Sequence, residues 1–259
     1  GSPVAGSQYP ATCSGAVSAN YTFNYTSGYV TVNKKALTVT ADNRSRTYGS
    51  ANPVFTATIT GFVLGQNQGT SDVVGSPLLT SAATSSSSVN GGPYPITASL
   101  GTLNSSNYSF NFVNGQLTID KAVLTVTANN ASRVFGTLNP AFSVNYSGFV
   151  NGETLATSGA TGTPSLTTSA VQTSSVGTYD ISVSSGNLAA ANYSFAFVNG
   201  TLTVNKAPTV TTITNAASIA SGSSRVGQGI DVNWTSVPES PITGTLTGSV
   251  VVSDGSGAT

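Results

Sequence analysis

Apolar and polar residues alternate in short runs along most of this chain. Tyr108, Phe110 and Phe112 are each separated by one residue, as are Leu117 and Ile119 just beyond them. In a strand that spacing puts each set on a single face. Between the sets stands Asn114-Gly115, the favoured pair for a two-residue type I′ turn, in which both residues take positive φ. The pattern therefore predicts a hairpin pairing Phe112 with Leu117 and Phe110 with Ile119. The same sentence is written again with Tyr193, Phe195, Phe197, Asn199-Gly200, Leu202 and Val204, and in a worn form from Asn20 to Val32. In the worn copy Tyr25 would face Val30 and Phe23 would face Val32.

Other alternating runs supply the remaining strands. In the best-defined stretch six are predicted, centred on Leu124–Ala128, Phe142–Tyr146, Thr163–Thr167, Thr178–Val183, Tyr193–Phe197 and Thr201–Val204. Gly152–Ala156 reads as a single helix-like turn. Long amphipathic helical patterns are absent, so the fold class is mainly β.

The runs belong to a repeat. Lys34, Lys121 and Lys206 recur at spacings of 87 and 85 residues. Between them Leu37-Thr38-Val39-Thr40-Ala41 answers Leu124-Thr125-Val126-Thr127-Ala128, Tyr48-Gly49 answers Phe135-Gly136, Asn52-Pro53 answers Asn139-Pro140, and Gly61-Phe62-Val63 answers Gly148-Phe149-Val150. A period this long fits a small domain rather than a solenoid rung. The expected organisation is a linear array of small β-rich domains, each an immunoglobulin-like sandwich or a grasp-like sheet, cut at both ends. Residues 1–33 match only the second half of a repeat, 34–120 and 121–205 are whole repeats, and 206–259 begin a different pattern. There Ile230, Val232 and Trp234 alternate as a core strand, Val250 and Val252 as another. Only Asp120, Lys121, Ala122 and Val123 separate Ile119 from Leu124, so the joint has no flexible linker. Five positions is an odd step, which reverses the apolar face and predicts an extended, fairly stiff rod of rotated domains.

Composition narrows the function. Charged residues are 6% of the chain, eight basic against eight acidic, so nucleic acid and anionic lipid have no electrostatic footprint to meet. No apolar run is long enough to span a bilayer, and direct membrane insertion is not expected. With no histidine, a Ser-His-Asp or Cys-His arrangement is impossible. No catalytic, cofactor-binding or metal-binding residues are therefore assigned. The single Cys13 aligns with Ala98 and Val183 and is expected to be a small buried hydrophobe. Calcium at the joints would draw on Asp42 and Asp120, but the matching positions carry Asn, and turns or caps are the preferred reading. Lys34, Lys121 and Lys206 are read as solvated joint lysines rather than partners in a covalent Lys–Asn crosslink. Tyr29 is the aromatic that no repeated core position absorbs.

Lys-x-x-Leu-Thr-Val-Thr-Ala, Tyr48-Gly49-Ser50 with Phe135-Gly136-Thr137, Asn-Pro, Gly-Phe-Val-x-Gly and the Asn-Tyr-Ser-Phe segment together resemble tandem MBG repeats of the Tyr-Gly-x type. The resemblance covers roughly residues 1–207. Residues 208–259 resemble the front half of a bacterial immunoglobulin-like repeat through Val226-Gly227-Gln228, Thr243-Gly244-Thr245 and Ser253-Asp254-Gly255. These resemblances imply a bacterial, extracellular surface adhesin, with this chain as a structural stalk or spacer, no catalysis and no cofactor. Its expected partners are neighbouring domains of the same long chain and, in a fibre or matrix, like chains. Two alternatives remain open at this point: a module that binds a glycan or host surface, and a subunit that polymerises by strand complementation between chains.

Overall fold

The protein is described by a computed structural model covering residues 2–4, 8–222, 229, 231–239 and 251. It divides into two compact units. Unit 1 comprises residues 1–123, 149–160 and 190–194; unit 2 comprises 124–148, 161–189 and 195–259.

Unit 1 opens with an antiparallel pair, β1 (Tyr9–Ala11) and β2 (Gly28–Val30), with Tyr9 opposite Val30. Seven strands follow: β3 (Lys35–Ala41), β4 (Arg44–Thr47), β5 (Ala57–Thr60), β6 (Leu78–Thr80), β7 (Tyr94–Ser99), β8 (Tyr108–Val113) and β9 (Gly115–Asp120). They form a three-stranded sheet in the order β5-β3-β8 and a four-stranded sheet in the order β4-β9-β7-β6. β3 runs antiparallel to β5 but parallel to β8, and β4 runs parallel to β9. Alternation decides the faces: in Leu-Thr-Val-Thr-Ala, Leu37, Val39 and Ala41 are buried while the threonines between them are partly exposed. One core cluster gathers Leu37, Val39, Val73, Leu103 and Tyr108, and another gathers Ala41, Ala83, Ile96, Ala98 and Leu117. Phe112 packs against both. The sheets thus meet face to face, the two-layer solution for a one-sided sheet.

The second copy repeats the arrangement. Its strands are β10 (Ala122–Ala128), β11 (Ala131–Val134), β12 (Val144–Ser147), β13 (Ser165–Thr167), β14 (Gly177–Ser184), β15 (Tyr193–Val198) and β16 (Gly200–Asn205). Their sheet orders are β12-β10-β15 and β11-β16-β14-β13. Within unit 2 the core joins Val126, Ala128, Ile181, Val183 and Leu202, with Phe142, Tyr146, Phe195 and Phe197 against it. The chain continues through β17 (Thr209–Ile213), the short helix α1 (Ala216–Ser221) and β18 (Trp234–Pro238).

Several expectations need correction. The predicted hairpin does not form. β8 pairs with β3, placing Phe110 beside Leu37 and Phe112 beside Val39, whereas β9 lies between β4 and β7 in the other sheet. Neither Asn114 nor Gly115 has the positive φ of a type I′ turn. Instead the chain crosses from one layer to the other at Asn114, whose side-chain carbonyl accepts a hydrogen bond from the Ala98 amide at 3.1 Å. Asn199 does the same for Val183 at 3.1 Å. The glycine is needed for close approach: a Cβ on Gly115 would lie 2.5 Å from the Ala41 carbonyl oxygen, and one on Gly200 2.5 Å from that of Ala128. An isolated hairpin would leave its aromatic face in water. Two opposed layers bury that face against the aliphatic one.

Each whole repeat also has seven strands rather than six, because β4 and β11 were hidden in the polar-looking Arg44–Thr47 and Ala131–Val134. The segment Gly152–Ala156 forms hydrogen-bonded turns without a helix. Cys13 is exposed, and so are Phe23 and Tyr25. Their counterparts Ala98 and Phe112 lie under a second sheet, and among the described residues no such sheet covers β1 and β2. Trp234, expected in a core strand, is 42% exposed. It pairs with Ile213 in a two-stranded sheet, and β17 is exposed throughout. Ile230, Val250, Val252 and the motifs at 226–228, 243–245 and 253–255 lie outside the described residues.

Candidate functional site

A cluster of polar and aromatic side chains lies in unit 1, where the Tyr48-Gly49 loop meets residues 149–160 and 190–194. β4 delivers Tyr48 to the end of its sheet, and the Tyr48 amide donates to the Asp120 carbonyl at 2.8 Å. The Tyr48 hydroxyl donates to Glu153 Oε1 at 2.6 Å, and the Tyr193 hydroxyl donates to Glu153 Oε2 at 2.5 Å. The two rings meet edge to face at 5.6 Å, and Phe149 adds a second such contact to Tyr193 at 6.1 Å. Edge-to-face pairs of this kind contribute about 0.5–1.5 kcal/mol beyond the area they bury.

Gly49 has φ +86°, and a Cβ there would lie 2.5 Å from the Val150 side chain. The motif therefore has a division of labour: the ring fills the seat, and the glycine lets the backbone lie flat on Val150. Around it Asn192 Oδ1 accepts from the Ser88 hydroxyl at 2.9 Å and the Val89 amide at 3.0 Å, and Asn151 Nδ2 donates to the Ser85 carbonyl at 3.3 Å. Hydrogen bonding to Glu153 and then burial raise the Tyr48 phenol above its ordinary range. Burial first, then Glu153, pushes Tyr193 up to about 12. Both phenols hold their protons, so the arrangement latches chain segments together.

The corresponding place at the start of β3 is built from Val63, Gln66, Asn107 and Tyr108. Tyr108 donates to Gln66 Oε1 at 2.5 Å, Phe62 meets Tyr108 edge to face at 5.6 Å, and the Val4 amide donates to Asn107 Oδ1 at 2.9 Å. A cavity of about 180 Å³ opens beside these residues.

A second repeated device lies behind each Tyr/Phe-Gly loop. Arg46 and Arg133 are buried. Arg46 Nε donates to Asn52 Oδ1 at 2.8 Å and its other nitrogens to the Thr47 and Thr84 carbonyls, while Asn52 Nδ2 donates to the Ala83 carbonyl at 2.7 Å. Arg133 repeats this in unit 2 with Asn139, Val134, Gln172 and Val171, and Asn139 donates to the Ala170 carbonyl. None of these partners is a carboxylate. The signal was present in the sequence: among only eight Lys and Arg residues, one Arg recurs two residues before the aromatic and six before Asn-Pro.

Asp42 and Asp72 are held by hydrogen bonds from nearby hydroxyls and amides. Asp42 accepts from the Thr56 and Thr58 hydroxyls, which hold its carboxyl below the ordinary range. Burial alone would raise Asp72, but hydrogen bonds from Ser105, Ser106 and Asn107 outweigh it and leave the group lowered. Among the described residues no three His, Cys, Asp or Glu side chains gather as a metal site. Lys34 donates to the Ser105 carbonyl at 2.7 Å and Lys121 to that of Ala190 at 2.8 Å, so these two joint lysines bind backbone rather than Asn side chains.

The structural residues singled out in the sequence fall into three groups. Tyr108, Leu117, Ile119, Tyr193, Leu202, Val204, Gly115 and Gly200 are buried. Phe110, Phe112, Phe195 and Phe197 are half-buried against the cores, whereas Asn114, Asn199 and Trp234 are exposed. Glu153 and Gln66 escape a reading of the sequence because a single acid and an amide at aligned positions carry no recognisable motif, whereas the two arginines leave the repeated spacing noted above.

No curated protein and no solved structure matches the chain. Among the described residues no helix is long and apolar enough to cross a membrane. The family model of the MBG domain (YGX type) matches twice in tandem, over residues 37–118 and 124–203. Both matches contain a clamp arginine and an aromatic-glycine loop. The family is one of β domains in surface, adhesin-like repeat proteins. The chain belongs to the MBG domain family of the YGX type.

Proposed function

We propose that this chain is a structural spacer, a stalk segment of an extracellular bacterial surface adhesin or filament that works without catalysis or cofactor. The observation that carries the reading is the Tyr48–Glu153–Tyr193 latch. It ties the aromatic-glycine loop of one repeat to segments of the next within one compact unit. A second support is the brevity of the connection: Lys121 alone separates β9 from β10. The neutral surface suits crowding of like chains into a fibre or matrix, since it lacks the repulsion that keeps charged proteins apart. Repeats 34–120 and 121–205 are the proposed units of the spacer, with 1–33 the closing half of a similar repeat. Residues 206–259 are proposed as the opening half of an immunoglobulin-like domain.

Small-angle scattering from the chain tests the reading. The expected profile is that of an extended particle whose maximum dimension grows more variable when Tyr48 and Glu153 are both replaced by alanine. A compact profile, or one indifferent to the double replacement, would sink it.

One observation favours a second reading, adhesion to a glycan. Phe23 and Tyr25 are exposed, their rings 6.5 Å apart and inclined by 28°, and Tyr29 is 71% exposed nearby in sequence. A reproducible glycan-array signal abolished by Tyr29→Ala and Tyr25→Ala would put adhesion ahead of spacing.

A further inference from the structure

Unit 1 contains two seats of one design, and among the described residues only one of them holds a side chain in the place of Tyr48. Six residues lining the cavity beside β3 align with the seat of Tyr48: Val63 with Val150, Leu64 with Asn151, Gln66 with Glu153, Asn107 with Asn192, Tyr108 with Tyr193, and Val4 with Val89. Elsewhere the lining departs from it, with Pro3 at the place of Ser88, Asn33 at that of Asp120 and Lys35 at that of Ala122. We propose that this cavity receives the aromatic-glycine loop of another MBG repeat, one whose closing half is residues 1–33, entering as Tyr48-Gly49 enters the Glu153 seat. The proposal rests on the observed seating of Tyr48 rather than on the spacer reading, and a compact scattering profile would leave it standing.

The cavity is already shaped for that loop. Tyr108 is anchored to Gln66 at 2.5 Å, the same distance as Tyr193 to Glu153. The Val63 amide points at the Tyr108 hydroxyl at 3.5 Å as the Val150 amide does at the Tyr193 hydroxyl at 3.2 Å. Leu64 and Asn151 share a left-handed backbone, φ 57° and 54°. The flanking contact is also in place, since the Val4 amide binds Asn107 Oδ1 at 2.9 Å as Val89 binds Asn192 at 3.0 Å. At about 180 Å³ the space far exceeds the roughly 10–15 Å³ that one bridging water needs. It has room for a ring.

Two features set the specificity. Val63 stands where Val150 stands, so the residue after the ring must be glycine. Gln66 offers one acceptor oxygen, already bonded to Tyr108, and an amide donor, whereas a carboxylate offers two acceptors. Leu64 replaces the polar Asn151. A ring entering here meets a donor and an apolar wall in place of a carboxylate and an amide. The seat therefore accepts tyrosine through its oxygen lone pair and discriminates less against phenylalanine than the Glu153 seat does.

The test extends the full chain by placing a copy of its own residues 34–86 ahead of Ser2, which aligns with Ser87 and so completes the leading repeat. Nitrogen-15 spectra should show the Gln66 side-chain amide and the Val63 amide moving on extension. Both should return when the copied Tyr48 is replaced by alanine or the copied Gly49 by valine. Thermal-melt effects of the copied tyrosine→Ala change and of Gln66→Ala should be non-additive. Unmoved resonances in a folded extended chain, or strictly additive melts, would overturn the proposal. If the extended chain does not fold, p-cresol, the side chain of tyrosine, is titrated into the unextended chain. Shifts at Val63 and Gln66 without shifts at Val150 and Glu153 support the seat, and none at saturation overturns it. Shifts in the unextended chain that depend on protein concentration would give the seat to a second copy's Phe135-Gly136 loop and also overturn the proposed occupant.

Discussion

Residues 8–33 and the repeat that follows carry the same alternation and reach different ends. β1 pairs with β2 through Tyr9 and Val30, just as β7 pairs with β9 through Tyr94 and Leu117. Yet Val30, Phe23, Tyr25 and Cys13 are exposed, while Leu117 and Ala98 are buried and Phe112 is half-buried. The pairing is identical; the covering layer is not. Alternation thus marks which side of a strand wants cover, and a core exists only where a second sheet supplies it.

The largest expected effect lies in replacing matched residues on either side of that divide. Leu202→Ala, at a fully buried position of unit 2, should lower stability by about 2–5 kcal/mol. Val30→Ala at the matching place of β2 should change it by no more than about 0.5 kcal/mol. Urea unfolding curves measure both, and comparable losses would mean that the leading pair has its own core. Next comes the clamp of the two whole repeats. Arg133→Met leaves Asn139 Oδ1 and the carbonyls of Val134, Gln172 and Val171 without their donor, a loss of about 3 kcal/mol. Arg133→Lys should recover little, since an ammonium lacks the planar five-donor fork.

Thiol labelling sharpens the contrast without altering a core. Native Cys13 should react with a small disulfide reagent at nearly its unfolded rate. Ala98→Cys or Val183→Cys should react about a hundredfold more slowly or less, because the site must open first. The smallest effect belongs to the latch. Tyr193, raised from 10.0 to about 12, keeps its stabilising proton below about pH 10, and that contribution is lost as pH rises through about 12. Glu153→Gln should lower the Tyr48 pKa more than that of Tyr193, because the Glu153 hydrogen bond leads the causes for Tyr48 and burial leads those for Tyr193. Ultraviolet titration of tyrosinate in single-tyrosine replacements reads the difference. Equal shifts in the two would contradict the geometry.

Much of this architecture was legible before any coordinates. The repeat, the buried face of strands such as β3, β9, β10 and β16, and the short joint follow from side-chain period and spacing alone. Strand partners did not follow. Phe112 and Leu117 do face one another's layer, but they do so across the core, because a strand–Asn-Gly–strand pattern is the same whether the chain turns back within a sheet or crosses to the opposite one. The deciding facts are non-local: β3 and β4 pair in parallel with β8 and β9, and Gly115 packs on the Ala41 carbonyl. The Tyr48 latch was equally hidden, since its acid comes from more than a hundred residues away. Trp234 misled through its alternation with Ile230 and Val232, which says nothing about whether a layer lies above it.

The clamp around Arg46 and Arg133 has one further consequence. Ion pairs fail in acid when the carboxylate gains a proton, and they weaken in brine as counterions crowd in. Here the guanidinium is cradled by an amide oxygen and main-chain carbonyls, groups that neither titrate in natural waters nor carry a net charge to be masked. The buried polar contacts of each clamp are thereby insulated from swings in acidity and salinity.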